Sequence, residues 1–379
     1  MRVKYIAIFL LTLSISAAAQ KNDCELTLRT ALDEFNAGHF YGLSSILKPC
    51  MDNGFTREQR QRANLLLVQT YLLLDDPESA ERSYLELLKA NPEFVTDIAR
   101  DPIDVVYLSK KFTSSPIFSL FAKIGPNISP VRPIHENNLY QSLDTVSFRK
   151  KYIIKPGWQF SLGSDLNIND QFSVSLAAQL MTTSYEQNSY NSFGRDKASF
   201  VDKQTWLNFP LSVKYSLDKG RFKPFVFVGF SANILLSDKA NIRYTDVLDA
   251  SGASQSVNVQ NLNFLYKRNR LNGSMFFGGG VKRKIRLNYV FADLRYSLGL
   301  GNVVNTKNLY GSAGNSKQYS QSMEALMHYG HLDDYFRLDN FSISIGYIHP
   351  LYKPRKLKKA RTKSVMKNIR NQKGDVHEK

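Results

Sequence analysis

The sequence predicts an α+β multidomain chain, in which an N-terminal α-helical module is followed by an eight-stranded antiparallel transmembrane β-barrel. Three observations predict it. Apolar residues recur at helical spacing up to Pro92 and switch to strict alternation after Pro116. The alternating runs last about ten residues, the length of a spanning strand. The connections between them are alternately short and long, as in barrels with tight turns on one side of a membrane and long loops on the other.

The first segment, 1–19, reads as a secretory signal peptide. Arg2 and Lys4 precede an apolar stretch from Tyr5 to Ile15, and Ala17-Ala18-Ala19 supplies the small-residue cleavage site. The mature chain is then expected to begin at Gln20. No later run is long and apolar enough for a spanning helix. The mean hydropathy of −0.31 does not argue against a barrel, whose strands average lipid-facing and lumen-facing residues. The 20 Tyr and 24 Phe suit such strands.

Residues 20–92 form the expected helical module. Phe35, Phe40, Leu43, Ile46 and Leu47 share a helical face, as do Leu65, Leu66, Tyr71 and Leu72, then Ala80, Tyr84, Leu87 and Leu88. Thr56 followed by Gln59 is a capping box. Asp76-Pro77 supplies an N-cap and a first-turn proline. Cys24 and Cys50 could pair in an oxidising periplasm; two buried free thiols is the other reading. Residues 93–115 are a connector, bounded by Asp101-Pro102 and Ser115-Pro116.

The barrel is expected over 116–350, with strands at about 117–128, 152–167, 171–185, 203–217, 222–236, 270–284, 286–300 and 339–350. The stretches near 129–150, 186–202, 237–269 and 301–338 are read as external loops. An even strand number returns both chain ends to one side, the periplasm. Parity puts Lys123, Lys214, Asp293 and Arg295 on inner faces, where ion pairing is expected. The glycines at 229, 278–280, 299 and 301 allow bends and close packing of large inward residues such as Tyr289. Trp158 and Trp206 are candidate girdle residues.

Residues 351–379 form a basic periplasmic tail. Eleven Lys or Arg against two acids lie between Lys353 and Lys379, so more than half of the +17 charge belongs to this tail. That argues against a nucleic-acid-binding face. Lys356, Lys358, Lys359 and Arg361 are candidate contacts to anionic polymers, anionic headgroups or an acidic protein. A plain solvated extension is the other reading.

Two resemblances sharpen this outline. Leu67, Tyr71, Ala80, Tyr84 and Pro92 resemble the tetratricopeptide repeat, with a weaker copy in Ala31, Phe35, Gly38, Phe40 and Leu43, offset by 37 residues. The resemblance implies a TPR-like surface for a protein partner, with Tyr71 and Tyr84 as contacts. Phe276-Phe277-Gly278-Gly279-Gly280-Val281, Phe291-Ala292-Asp293-Leu294-Arg295-Tyr296-Ser297-Leu298-Gly299-Leu300 and Ala122-Lys123-Ile124-Gly125-Pro126-Asn127 resemble the PorT-like outer-membrane barrels over 116–350. Some members of that family belong to the type IX secretion and gliding apparatus.

No catalytic constellation stands out, and no cofactor is expected. His328, His331, Asp333 and Asp334 form a cluster that falls short of a convincing metal-ligand set. The expected role is an outer-membrane anchor for a periplasmic interaction module, with surface ligand binding or a lipid-acting barrel enzyme as alternatives.

Overall fold

A computed structural model describes residues 24–137, 149–169, 171–190, 197–217, 220–247, 254–308 and 333–357. The expected signal peptide lies outside them. The chain divides into two compact units: the N-terminal part to Pro116 together with the segment from Tyr352, and Ile117–Leu351.

The first unit is helical: α1 (24–36), α2 (Leu43–Asp52), α3 (Arg57–Leu73), α4 (Pro77–Ala90) and α5 (Ile103–Ser109). Both expected starts are formed. The Thr56 and Gln59 side chains satisfy each other's backbone N–H at the head of α3, and Asp76 accepts from Ser79 N ahead of Pro77. Gly38 and Asp75 adopt left-handed φ values of 82° and 54° at the turns after α1 and α3. These turns are 37 residues apart. The same offset relates Ala31 to Val68, Leu43 to Ala80, Leu47 to Tyr84 and Cys50 to Leu87, and all eight are buried. The helical hairpin is therefore built twice with one burial pattern. Cys24 and Cys50 are joined by a disulfide, with Cα atoms 5.7 Å apart.

The expected connector is structured. It contains α5 and the short strand β1 (Phe112–Thr113), which pairs with β13 (Arg355–Lys356). The start of the basic tail is thus an ordered strand of the helical unit. Lys356 Nζ lies 2.5 Å from Glu81 Oε2, and Tyr352 donates to Glu93.

The second unit is one sheet wrapped on itself. Its strands are β2 (Phe118–Ile128), β4 (Arg149–Asn167), β5 (Phe172–Tyr190), β6 (Lys197–Ser216), β7 (Phe222–Val247), β8 (Ser254–Asn263), β9 (Leu271–Ile285), β10 (Asn288–Gly299) and β12 (Asn340–Leu351). The antiparallel pairings run β2–β4–β5–β6–β7–β9–β10–β12 and return from β12 to β2, closing a ring. β8 folds back on the upper part of β7. A two-stranded ladder joins β3 (Val131–His135) to β11 (Tyr335–Leu338). Phe118 pairs with Leu351, so the chain enters and leaves the ring at one end, here called the near end.

Where they are described, the expected loops are largely sheet. β5, β6 and β7 run past the expected ends at Tyr185, Lys203 and Leu236, and β8 lies wholly inside the stretch read as a loop. The polar, serine-rich composition of these extensions hid the alternation on which the strand reading depended.

Candidate functional site

Within the near half of the ring the usual order of a protein is reversed. Leu162, Leu176, Leu211, Val226, Phe230, Leu294 and Ile345 point outward and are exposed. Ser161, Gln179, Ser212, Asp293, Arg295 and Ser344 point inward and are buried. An apolar outside around a polar inside is the pattern of a barrel that faces hydrocarbon.

The lumen is filled. Lys123 pairs with Asp293 at 2.8 Å, and Lys214 pairs with Asp165 at 2.8 Å. Arg295 lies 3.6 Å over the Phe276 ring and donates to Gln179, which in turn donates to Gln159. The four residues singled out from parity are brought together here; Asp165, two residues from the end of β4, is the partner that parity reasoning left out. Five inward rings fill the remaining width. Phe121, Phe225, Phe227, Phe276 and Phe291 stand directly across from Gly163, Gly280, Gly278, Gly229 and Gly346. A Cβ on any of these glycines would come within 2.8 Å of the facing ring. The glycine run thus seats phenylalanines. Tyr289 instead sits at the near end, with Lys223 and Lys282 each 5.7 Å from its ring centre. The space left among Phe121, Lys123, Lys214, Asp293 and Arg295 is about 30 Å³ at the scale of water-sized occupants. That is room for about two waters.

The far end is closed by a second core. Tyr185, Phe200, Trp206, Leu235, Ile242, Phe264, Val303, Val304 and Phe336 pack together inside the extended strands. At its centre is Arg268, fully buried, 2.6 Å from Asp238, 3.0 Å from Asp202 and 3.2 Å from Asp333. Tyr185 donates to Asp202, and Trp206 donates to Gln204, whose amide reaches both Asp202 and Asp238. Burial opposes the charge on Arg268, but the Asp333 and Asp238 carboxylates outweigh it and hold the guanidinium protonated. This network was not expected, because the assumed strand ends left Arg268, Asp202, Asp238 and Asp333 in loops. The signal that could have found it is a run of alternating positions, Phe200, Asp202, Gln204 and Trp206, that carries on ahead of the expected strand start at Lys203.

Two expectations change. Trp206 is buried and hydrogen-bonded, because it shares its parity with lumen-facing Asn208; only Trp158 is exposed on the outside. Asp333 and Asp334 are occupied by cations, Asp334 holding Lys150 at 2.5 Å and accepting from Tyr152. His328 and His331 lie outside the described residues, and no group of three potential metal ligands occurs among those described.

In the helical unit, Tyr84 is 3% exposed, packed on Phe94 and Phe112, and burial raises its phenol above the usual range. It is a core residue and offers a partner no surface. Tyr71 is half-buried against the same cores. Lys356 is engaged by Glu81, while Lys358, Lys359 and Arg361 lie outside the described residues.

The comparisons bear on the second unit. Residues 118–305 match the family described as outer membrane protein beta-barrel domain. The wrapped sheet is an outer-membrane β-barrel. Such a domain places the protein in the cell outer membrane. Among solved structures, Neisserial surface protein A is 14% identical, with 62% of this chain and 97% of that one covered and a TM-score of 0.31. Ail of Yersinia pestis is 10% identical, covering 62% and 99%, with a TM-score of 0.24. The protease OmpT of Escherichia coli is 8% identical, covering 63% and 98%, with a TM-score of 0.27. At these identities and scores the likeness says nothing of activity. No curated protein matches the chain.

Proposed function

We propose that the protein is an eight-stranded outer-membrane anchor that holds its helical unit in the periplasm, where the unit recruits a protein partner of an envelope machine. The observation that carries this reading is the filled lumen beneath a closed far mouth, which leaves the barrel little to do as a channel. Both chain ends leave the barrel at the near end, so one orientation puts the helical unit and the basic tail in the same compartment. The doubled hairpin with its 37-residue burial repeat supports a TPR-like module, a type of fold suited to binding peptides or proteins. The PorT-like resemblance favours secretion or gliding as the setting. Outer-membrane lipid is the partner of the outward apolar belt. The basic tail would add an anionic polymer, headgroup or acidic protein.

Orientation is tested with Lys203→Cys at the far end and Arg286→Cys at the near end. A membrane-impermeant maleimide should label the first in intact cells and the second only after the outer membrane is permeabilised; the reverse would overturn the reading. Partner recruitment is tested by crosslinking and affinity purification from the native envelope. Partners should be captured by the whole chain and lost when residues 24–111 are deleted. Capture that survives the deletion favours the second reading, ligand binding at the cell surface. The extension of β5–β8 beyond the belt supports that alternative.

A further inference from the structure

We propose that the outer wall of the barrel carries a binding site for the phosphates of an outer-leaflet glycolipid, centred on Lys203 and Lys239; the proposal rests on the membrane-spanning reading and orientation above. The two lysines are directly opposite each other on β6 and β7. Both are exposed, whereas their sequence neighbours Asp202, Gln204, Asp238 and Ala240 are buried, so the lysines point outward. Among the described residues neither has a carboxylate partner. Like charges directly opposite on adjacent strands, with Cβ atoms about 5 Å apart, destabilise a sheet. An anion bridging the two ammonium groups removes that penalty.

The surroundings extend the charge. Ser184 pairs with Lys203 on one side and with Lys155 on the other, so Lys155, Ser184, Lys203 and Lys239 form one transverse row over four strands. At about 4.8 Å per strand the row spans roughly 14 Å. Lys155 is already matched by Glu186 at 2.9 Å. Lys151 and Arg243, both exposed, lie in a row farther from the belt, across from Asn188 and Ser199. Among the described residues of these two rows, five cations face the one carboxylate of Glu186.

The height of the row selects the ligand. On β6 the outward apolar series runs from Val213 through Leu211 and Phe209 to Leu207; on β7 it ends at Leu236, and on β4 it runs through Trp158, with Ile153 and Ile154 also exposed beside Lys155. Lys203 lies four residues beyond Leu207. At about 3.3 Å per residue and a strand tilt near 40°, that is roughly 10 Å above the belt. The flexible lysine stem reaches back toward it. The ammonium groups therefore meet the headgroup layer, where the phosphates of a lipid anchored against Leu207, Leu236 and Trp158 would lie. A soluble anion would gain nothing from the apolar wall below.

The test uses the full chain folded in detergent micelles, with heat-modifiable gel mobility first showing that the barrel is intact. The probes are lipid A bearing both phosphates, its dephosphorylated form and inorganic phosphate, read by native mass spectrometry. The wild type should retain phosphorylated lipid A at least tenfold better than the dephosphorylated form. Lys203→Gln with Lys239→Gln should lose that preference, and the paired Arg substitutions should keep it. Lys110→Gln, in the helical unit, is the control. Equal retention by the Gln pair, or equal retention of dephosphorylated lipid, overturns the site. Displacement by inorganic phosphate alone reassigns it to a free anion and overturns the lipid. A chain that never becomes heat-modifiable instead counts against the barrel reading itself.

Discussion

The two halves of the barrel are built from the same strands and have different exteriors. Along β6, Leu207, Phe209, Leu211 and Val213 face out while Asn208, Ser212 and Lys214 face in. A few residues farther on, Phe200 and Trp206 face in and Lys203 faces out. The parity of the strand never changes; what changes is which parity is apolar. The near half is arranged for hydrocarbon, with its polar groups hidden in the lumen. The far half along β6 and β7 is arranged as in a water-soluble protein, with a buried apolar core and lysines outside. The switch at Trp206 and Leu207 therefore marks one edge of the apolar belt more directly than any hydropathy average.

The largest expected effect comes from the ion network around Arg268 in the far core. Arg268→Ala leaves Asp202, Asp238 and Asp333 buried without their shared cation. Truncating one member of a buried ion network costs about 4 kcal/mol. Equilibrium unfolding in denaturant should show that loss, with near-half pairings outlasting those of β7 with β8 in amide exchange. If the far half is instead a set of independent loops, the substitution will leave both measurements unchanged.

The next effect tests the inversion itself. Leu211→Lys puts a charge in the outward belt and should cost about 3 kcal/mol in lipid vesicles. Arg243→Leu, on the outward face of the far half, should stay within about 0.5 kcal/mol, as surface changes do. Comparable costs at the two positions would mean that both halves face the same solvent.

Much of this contrast was legible before the structure. The near half announces itself because lipid and lumen impose a clean two-residue period; Phe209, Leu211 and Val213 against Ser212 and Lys214 cannot be read as a helix. The pairing of Lys123 with Asp293 follows from the same parity. The far half was lost because its outward residues, such as Ser199 and Asn241, are those that also fill loops. Its core is also assembled from distant segments: Arg268, Val303 and Phe336 meet only through folding, and no local period encodes that. The helical unit was read from its caps and turns. The burial of Tyr84 was missed because a repeat resemblance marks a consensus aromatic position without saying whether it fills a core or a surface.

The smallest predicted change asks whether the lumen of the near half is packed to fit or merely filled. Gly278 faces inward, and a Cβ there would meet Leu294 O at 2.2 Å and Phe227 Cζ at 2.5 Å. Gly279, its neighbour, faces outward and would meet Phe225 O at 3.3 Å and Val226 Cγ1 at 3.6 Å. Gly278→Ala should therefore cost about 2 kcal/mol through overpacking, and Gly279→Ala less than half of that. The ring is only part of the obstacle, since the backbone oxygen of Leu294 remains. Adding Phe227→Ala to Gly278→Ala should recover about 1 kcal/mol as coupling in a double-mutant cycle. Equal costs at the two glycines, or a coupling of zero, would show that the phenylalanine rings move aside freely, and that the near lumen lacks the fixed packing seen around Arg268.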